Sequence, residues 1–109
     1  MNQRSETRES AEDRIHIQVQ HGAEMGLAHG IVLHADTNNI SAQGINASSQ
    51  YELATGVVLD VLVEVPGEKP YLLTAEVRWC NRDNGLYRIG FQVLNNQNSD
   101  VLLWQQRFG

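Results

Sequence analysis

The sequence predicts a mainly β fold, an antiparallel barrel or sandwich that ends in a short helix. Apolar and polar residues alternate with the two-residue period of half-buried strands, and turn-forming residues separate these short segments. A helical pattern is predicted only after the last strand, and strands that follow one another without helices favour antiparallel pairing. The length of 109 residues fits a single domain.

Six strands are expected from Arg14 onward. The first is defined by Ile15, Ile17 and Val19, which alternate with polar residues and therefore share one buried face. Residues 1–13 are rich in charge and lack periodicity, so we divide the chain into a flexible tail at 1–13 and a folded β domain at 14–109. The predicted strands cover residues 14–20, 27–35, 44–47, 57–65, 71–80 and 86–93.

Turn residues set the ends of the later strands. Residues 66–70 contain two prolines, which cannot donate to a ladder, and must reverse the chain. Residues 81–85 end in Asn-Gly and predict the turn of a hairpin. Residues 99–108 predict the helix, with Asp100 placed favourably against the helix dipole.

The amino-acid composition of the chain limits its possible binding partners and its location in the cell. The net charge of −5 disfavours long polyanions such as duplex DNA, but two or three arginines can dominate locally, because salt screens charges beyond about 8 to 10 Å. The single cysteine, Cys80, agrees with a reducing compartment. The chain has neither an apolar signal core nor an apolar run near the roughly 20 residues of a membrane span. We expect a cytoplasmic protein that does not insert into membranes or bind nucleic acid.

A polar turn between two apolar runs, Asn39-Ile40-Ser41-Ala42-Gln43-Gly44, is the first candidate for a binding site. Asn39 can hydrogen-bond backbone or a base edge, and the Ser41 hydroxyl can donate to a phosphate or a base. Gly44 permits positive φ and a close approach to a ligand. The same residues are also compatible with a tight turn that has only a structural role.

Arg4 and Arg8 are the second candidate. The planar guanidinium donates two parallel hydrogen bonds to phosphate oxygens or to O6 and N7 of guanine, and it stacks on bases. In a tail with few side chains to pack, both arginines are free to enclose an anionic ligand. By itself, such a pair is also typical of a solvated charged tail.

The two motifs together, Arg4-Ser5-Glu6-Thr7-Arg8 and the polar turn, resemble the signature of the PilZ domain, Arg-x-x-x-Arg followed by Asp/Asn-x-Ser-x-x-Gly. Further segments resemble PilZ landmarks in the same order, and the resemblance covers about residues 4–94. They are residues 30–32, 55–59, 77–79 and 89–91. The resemblance implies a six-stranded antiparallel Greek-key barrel with a C-terminal helix, and cyclic di-GMP as the ligand.

The arginine motif has two possible registers. The family usually places its second arginine directly before the first strand, whereas Arg8 lies 31 residues before Asn39. Arg14 lies 25 residues before Asn39, and in that register Ser10 occupies the position of the first arginine. Arg4 and Arg8 are our choice, with Arg14 as the alternative.

Aromatic side chains also allow two interpretations. Trp79 either stacks on a guanine near the site or packs at the core or rim of the barrel. Trp104 and Phe108 are expected to pack on the barrel, and their alternative is a surface that faces a partner protein.

Motifs for catalysis and for metal binding are not found. The chain lacks a phosphate-cradling Gly-x-x-x-x-Gly-Lys, a Gly-x-Ser-x-Gly elbow and a paired-carboxylate motif. Its four histidines show no metal-ligand spacing with cysteine or clustered carboxylates; they are His16, His21, His29 and His34. We therefore predict no enzymatic activity, no catalytic residue, no metal and no cofactor.

The predicted function is that of a cyclic di-GMP receptor, which relays the level of this second messenger to an unidentified downstream protein as its tail orders over the nucleotide. The alternative is a PilZ-fold adaptor that contacts proteins without binding nucleotide. A general RNA- or DNA-binding barrel is disfavoured by the acidic balance. The predicted ligand-binding residues are Arg4, Arg8, Arg14, Asn39, Ser41, Gly44 and Trp79.

Overall fold

Six antiparallel strands form a closed barrel, and one short helix follows them. The computed structural model describes residues 14–21 and 31–109, except for the side chains of residues 14, 20 and 21. The strands are β1 (Arg14–His21), β2 (Val32–Asp36), β3 (Gly44–Ser49), β4 (Val58–Glu64), β5 (Tyr71–Asp83) and β6 (Leu86–Val93), and the helix is α1 (Val101–Arg107). The predicted six-stranded barrel with a C-terminal helix is confirmed.

The barrel has Greek-key connectivity. Its strands follow the order β1-β2-β3-β6-β5-β4, and β4 pairs with β1 to close the sheet. Three consecutive strands with the fourth returned beside the first give the spatial order 4-1-2-3 of a Greek key. The segment 50–57, which connects β3 to β4, makes this return. Closure satisfies the backbone groups that an open sheet would expose at its edges.

The core is built from the inward faces that sequence alternation predicted. In β4, Leu59, Val61 and Val63 are almost fully buried, while the residues between them are partly exposed. In β1, Ile15 and Ile17 are buried in the same way. Both strands follow the predicted two-residue period, because one face meets the core and the other meets solvent.

The hairpin between β5 and β6 is tighter than the sequence suggested. Residues 81–83, predicted as part of the turn, continue β5 and pair with residues 86–88 of β6. Only Asn84 and Gly85 form the turn, and both have positive φ, 53° and 83°. Two consecutive residues with positive φ are typical of the type I′ turn, whose twist matches that of the flanking strands. The Asn-Gly pair therefore sets the whole connection.

Other boundaries differ by a few residues. β2 ends at Asp36, one residue beyond the prediction, and β3 continues to Ser49 rather than ending at residue 47. The predicted start of the second strand, at Leu27, lies outside the described residues, as does the tail at 1–13.

Helix α1 is held against β5 by its first residues and by its apolar face. The Asp100 N–H donates to the Leu72 carbonyl oxygen, and Asp100 Oδ2 accepts a hydrogen bond from the Leu72 N–H, both at 2.8 Å. Asp100 therefore ties the helix to the sheet, and it also lies at the N-cap of α1, where a negative charge is favourable against the helix dipole. Trp104 is fully buried, as predicted, which excludes it from a partner-facing surface. Phe108 contacts the Trp104 ring but remains 37% exposed.

The C-terminal end of α1 is joined to the β4–β5 turn by a cluster of three side chains. Arg107 Nε donates to both carboxylate oxygens of Glu68, at 2.8 and 3.0 Å, and the Tyr71 hydroxyl donates to Glu68 Oε1 at 2.7 Å. The hydrogen bond from Arg107, followed by that from Tyr71, lowers the pKa of Glu68. The ionised carboxylate therefore stabilises the docked helix end.

This cluster predicts a pH dependence of stability. Because the pKa of Glu68 is lower in the folded state, its contribution is complete above the unfolded pKa of about 4.3 and is lost as pH falls through the lower folded value. We expect the stability difference between wild type and Glu68→Gln to be constant from pH 7 to 5 and to shrink below that. Urea unfolding midpoints measured from pH 7 to 3 test this. Glu52→Gln, in an exposed loop, is the matched control, and identical pH profiles for the two variants would contradict the assignment.

Candidate functional site

The polar turn forms a compact unit between β2 and β3. A 3₁₀ turn, Thr37–Asn39, follows β2, and an antiparallel bridge between Ile40 and Ile45 then closes the connection. The Ser41 N–H donates to the Gly44 carbonyl oxygen at 2.8 Å, and the Gly44 N–H donates to Ser41 Oγ at 3.1 Å. The sequence motif is therefore a rigid turn whose serine is exposed but already bonded within it.

The structural reason for a glycine at position 44 differs from the one predicted. Its φ is not positive, unlike that of Gly56, Gly67 and Gly85. A Cβ at this position would lie 3.2 Å from the backbone oxygen of Phe91 on β6, which has little freedom to move. Gly44 therefore favours the close approach of β3 to β6, and the positive φ that glycine permits is not used here.

Asn39 lies at the end of the 3₁₀ turn with a half-buried side chain. Within the described part of the chain, its amide makes no hydrogen bond to another residue. The donor and acceptor of this side chain therefore remain available at the surface of the turn.

The N-terminal end of β1 lies beside this turn. In the β1–β2 ladder, Arg14 is the first paired residue and lies opposite Asp36, directly before the 3₁₀ turn. The tail that precedes Arg14 is thus attached to the barrel next to the polar turn. Arg4 and Arg8 lie outside the described residues, and the side chain of Arg14 is not described.

Trp79 lies on the outer face of the barrel. The β5–β6 register shifts between Val77 and Trp79, so that Arg78 is an extra residue and Trp79 is placed opposite Gly90. The indole ring packs over Gly90 and is 38% exposed. The possibility that Trp79 packs in the core of the barrel is therefore wrong. The ring lies on the outer face of β6, and part of it is exposed to solvent.

The bulge also brings a cation to the same face. Arg78 Nη1 donates to Gln92 Oε1 at 2.6 Å, and Gln92 lies opposite Gly44 in the β3–β6 ladder. Gly90, beneath Trp79, is two residues from Gln92, a separation of about 7 Å along a strand. The polar turn, Arg78 and the Trp79 ring therefore share one outer surface. Arg78 was not predicted as a site residue and belongs only to the family landmark at 77–79, because a bulge leaves no signal in residue periodicity.

Substitution of Gly90 tests the placement of the ring. A Cβ at Gly90 would lie 2.3 Å from Cε2 and Nε1 of Trp79, so Gly90→Ala must displace the indole from β6. We expect the Trp79 indole N–H resonance in a ¹H–¹⁵N spectrum to move. The buried Trp104 supplies the internal control, because its indole resonance is expected to stay in place. An unchanged Trp79 resonance would contradict the packing.

The described residues contain one pair of histidines in contact. The His16 and His34 rings contact each other on β1 and β2 with centroids 5.1 Å apart. No group of three or more His, Cys, Asp or Glu in residues 14–21 and 31–109 is arranged to hold a metal ion. In the same ranges, no helix has the length and hydrophobicity needed to cross a membrane.

A closed six-stranded antiparallel β-barrel with a C-terminal helix is the fold that the resemblance to PilZ domains implied. The family model of the PilZ domain matches residues 2–106, and the chain belongs to this family. PilZ domains form a family of cyclic di-GMP-binding receptors and adaptors rather than enzymes. Neither the comparison with curated proteins nor that with solved structures gave a match.

Proposed function

We propose that this protein is a cyclic di-GMP receptor that passes the second-messenger signal to a partner protein. The observation that carries the proposal is the β1–β2 register, in which Arg14 lies opposite Asp36. This register attaches the arginine-bearing tail beside the turn of Asn39, Ser41 and Gly44. Under this proposal, both halves of the family motif would act at one surface.

The turn supplies the fixed half of the site. The Asn39 amide can pair with a guanine edge, and Ser41 can redirect its hydroxyl to a phosphate or a base while its N–H keeps the turn closed. Gly44 allows β3 to lie close to the Phe91 backbone on β6. Partial exposure of Trp79 on the same face supports stacking of a base on its ring.

The arginines would supply the second half of the site. Arg14 lies six positions after Arg8, and an extended segment of this length spans up to about 20 Å, enough to reach across the polar turn. Arg4 and Arg8 would each donate paired hydrogen bonds to a phosphate or to a guanine Hoogsteen edge. Arg14, fixed at the start of β1, would add charge at the base of the tail.

Ordering of the tail would both limit affinity and produce the signal. Fixing the backbone costs about 1 to 2 kcal/mol per residue, so ordering ten residues offsets much of the gross binding energy and favours moderate affinity. The closed tail would change the surface seen by a partner protein. Such a receptor transforms no substrate and needs no metal or cofactor, and we expect it to act in the cytoplasm.

Isothermal titration of the full chain with cyclic di-GMP tests the proposal, with GMP as the control that lacks the cyclic pair of phosphates. We expect saturable heat with cyclic di-GMP and none with GMP at the same concentration. A titration without heat, together with an unchanged melting temperature at excess cyclic di-GMP, would overturn nucleotide binding and favour the adaptor alternative.

A further inference from the structure

Trp104 makes a polar contact that links the C-terminal helix to the proposed nucleotide site. Its indole is fully buried, and Nε1 donates to the carbonyl oxygen of Ser41 at 3.0 Å. The two residues are 63 positions apart in the chain. Because a buried donor without a partner is costly, this bond constrains the position of both groups.

The bond completes the immobilisation of Ser41. The Ser41 N–H and hydroxyl are already bonded to Gly44, at 2.8 and 3.1 Å. With its carbonyl oxygen held by Trp104, every polar group of Ser41 has a partner within the protein. Loss of the indole N–H would free the peptide plane between Ser41 and Ala42, in the centre of the motif.

The indole is itself held firmly at its other side. Its ring makes edge-to-face contacts with Tyr71 and Phe108, with centroids 5.1 and 5.0 Å away. Asp100 fixes the start of the same helix to Leu72 on β5. The N–H donor therefore moves only if α1 moves, and the helix and the turn form one mechanical unit.

We propose that Trp104 is a positioning residue for the nucleotide site, and that the docked state of α1 and the ligand-ready state of the polar turn stabilise each other through this hydrogen bond. The proposal rests on the proposed function for its ligand. By linkage, the factor by which the docked helix favours nucleotide binding equals the factor by which nucleotide favours docking. Helix α1 is then an element through which the barrel reports that the site is occupied.

The test compares two variants that both weaken the packing of α1. Trp104→Phe removes the N–H donor and part of the ring, whereas Val101→Ala removes buried apolar volume from the same helix and leaves the donor in place. Amide hydrogen exchange at Ser41 and Gly44 is measured without ligand, relative to global stability from urea unfolding. We expect exchange at these amides to be at least fivefold faster in Trp104→Phe than in Val101→Ala at matched stability. Equal exchange in the two variants would overturn the proposal.

The affinity for the nucleotide is measured separately, by calorimetric titration with cyclic di-GMP. We expect about fivefold to tenfold weaker binding by Trp104→Phe than by Val101→Ala, and slower exchange of α1 amides when wild type is saturated. Equal affinities would overturn the link to the nucleotide. If wild type binds no nucleotide, the proposed function fails, while the exchange comparison still decides whether Trp104 positions the turn.

A second substitution keeps the test decisive if Trp104→Phe does not fold. In a Trp79→Phe protein, biosynthetic replacement of the remaining tryptophan by 3-benzothienylalanine preserves the ring volume and exchanges the N–H for sulfur. Faster exchange at Ser41 and Gly44 than in the same protein with tryptophan supports the proposal. Unchanged exchange would overturn it.

Discussion

Replacement of Arg8 by alanine is expected to weaken cyclic di-GMP binding by at least 100-fold and to leave the melting temperature without ligand nearly unchanged. A hydrogen bond to a charged group contributes about 1.5 to 3 kcal/mol, and the guanidinium fork donates two at once. Arg8 lies before β1 in the sequence, and we expect its removal to leave the core of the barrel intact. Calorimetry measures the affinity, and thermal unfolding without ligand measures the stability.

Two control variants separate the effect of the paired guanidinium hydrogen bonds from that of positive charge alone. Arg8→Lys keeps the positive charge and loses the paired donors, so we expect intermediate affinity. Arg82→Ala removes an exposed arginine from the far end of β5 and should bind as wild type does. Wild-type affinity in Arg8→Ala would contradict the choice of Arg4 and Arg8. A large loss in Arg14→Ala alone would instead identify the second register.

Replacement of Trp104 by alanine is expected to destabilise the barrel by about 3 to 5 kcal/mol, the usual cost of removing a large buried aromatic side chain. The change deletes the ring that joins Tyr71 and Phe108, and it removes the donor to Ser41. Since small domains are stable by about 5 to 15 kcal/mol, this is a large part of the total. Urea unfolding followed by circular dichroism measures the loss.

Phe108→Ala is the control for this substitution. Phe108 belongs to the same aromatic cluster but is 37% exposed, so we expect less than half of the destabilisation seen in Trp104→Ala. Similar losses in the two variants would contradict the view that Trp104 anchors the helix and that Phe108 only covers it.

The strands were predictable where one face alone is buried. In β4 the alternation of Leu59, Val61 and Val63 with polar or exposed residues fixes both the strand and its inward face. The Asn84-Gly85 pair likewise predicted the hairpin, because few other residues accept two consecutive positive φ angles. Local chemistry was sufficient in both cases.

Contacts between distant parts of the chain were not predictable. The bond from Trp104 to Ser41 depends on the docking of α1, and nothing in the neighbourhood of either residue signals it. The bulge at Arg78, which places Trp79 on the outer face, arises from the pairing of two strands and not from the sequence of one. The bond between Asp100 and Leu72 likewise joins two separate elements, and the helical pattern of residues 99–108 does not indicate it.

The candidate site was predictable in part. The motif correctly located a tight turn at Asn39 to Gly44, although Gly44 is explained by the close approach of Phe91 and not by positive φ. The register of Arg14 opposite Asp36 places the start of β1 next to this turn. The contacts of Arg4 and Arg8 stay a prediction.

The most direct test of nucleotide binding by the turn and the tail is a ¹H–¹⁵N titration of the full chain with cyclic di-GMP. Amide resonances of residues 4–14 and 39–44 are followed together, with those of the Asn84-Gly85 hairpin as an internal reference. We predict large shifts in both groups at the same nucleotide concentration, slowed backbone dynamics in the tail, and little change in the hairpin. Shifts confined to one group, or none at saturating nucleotide, would contradict a site built from both.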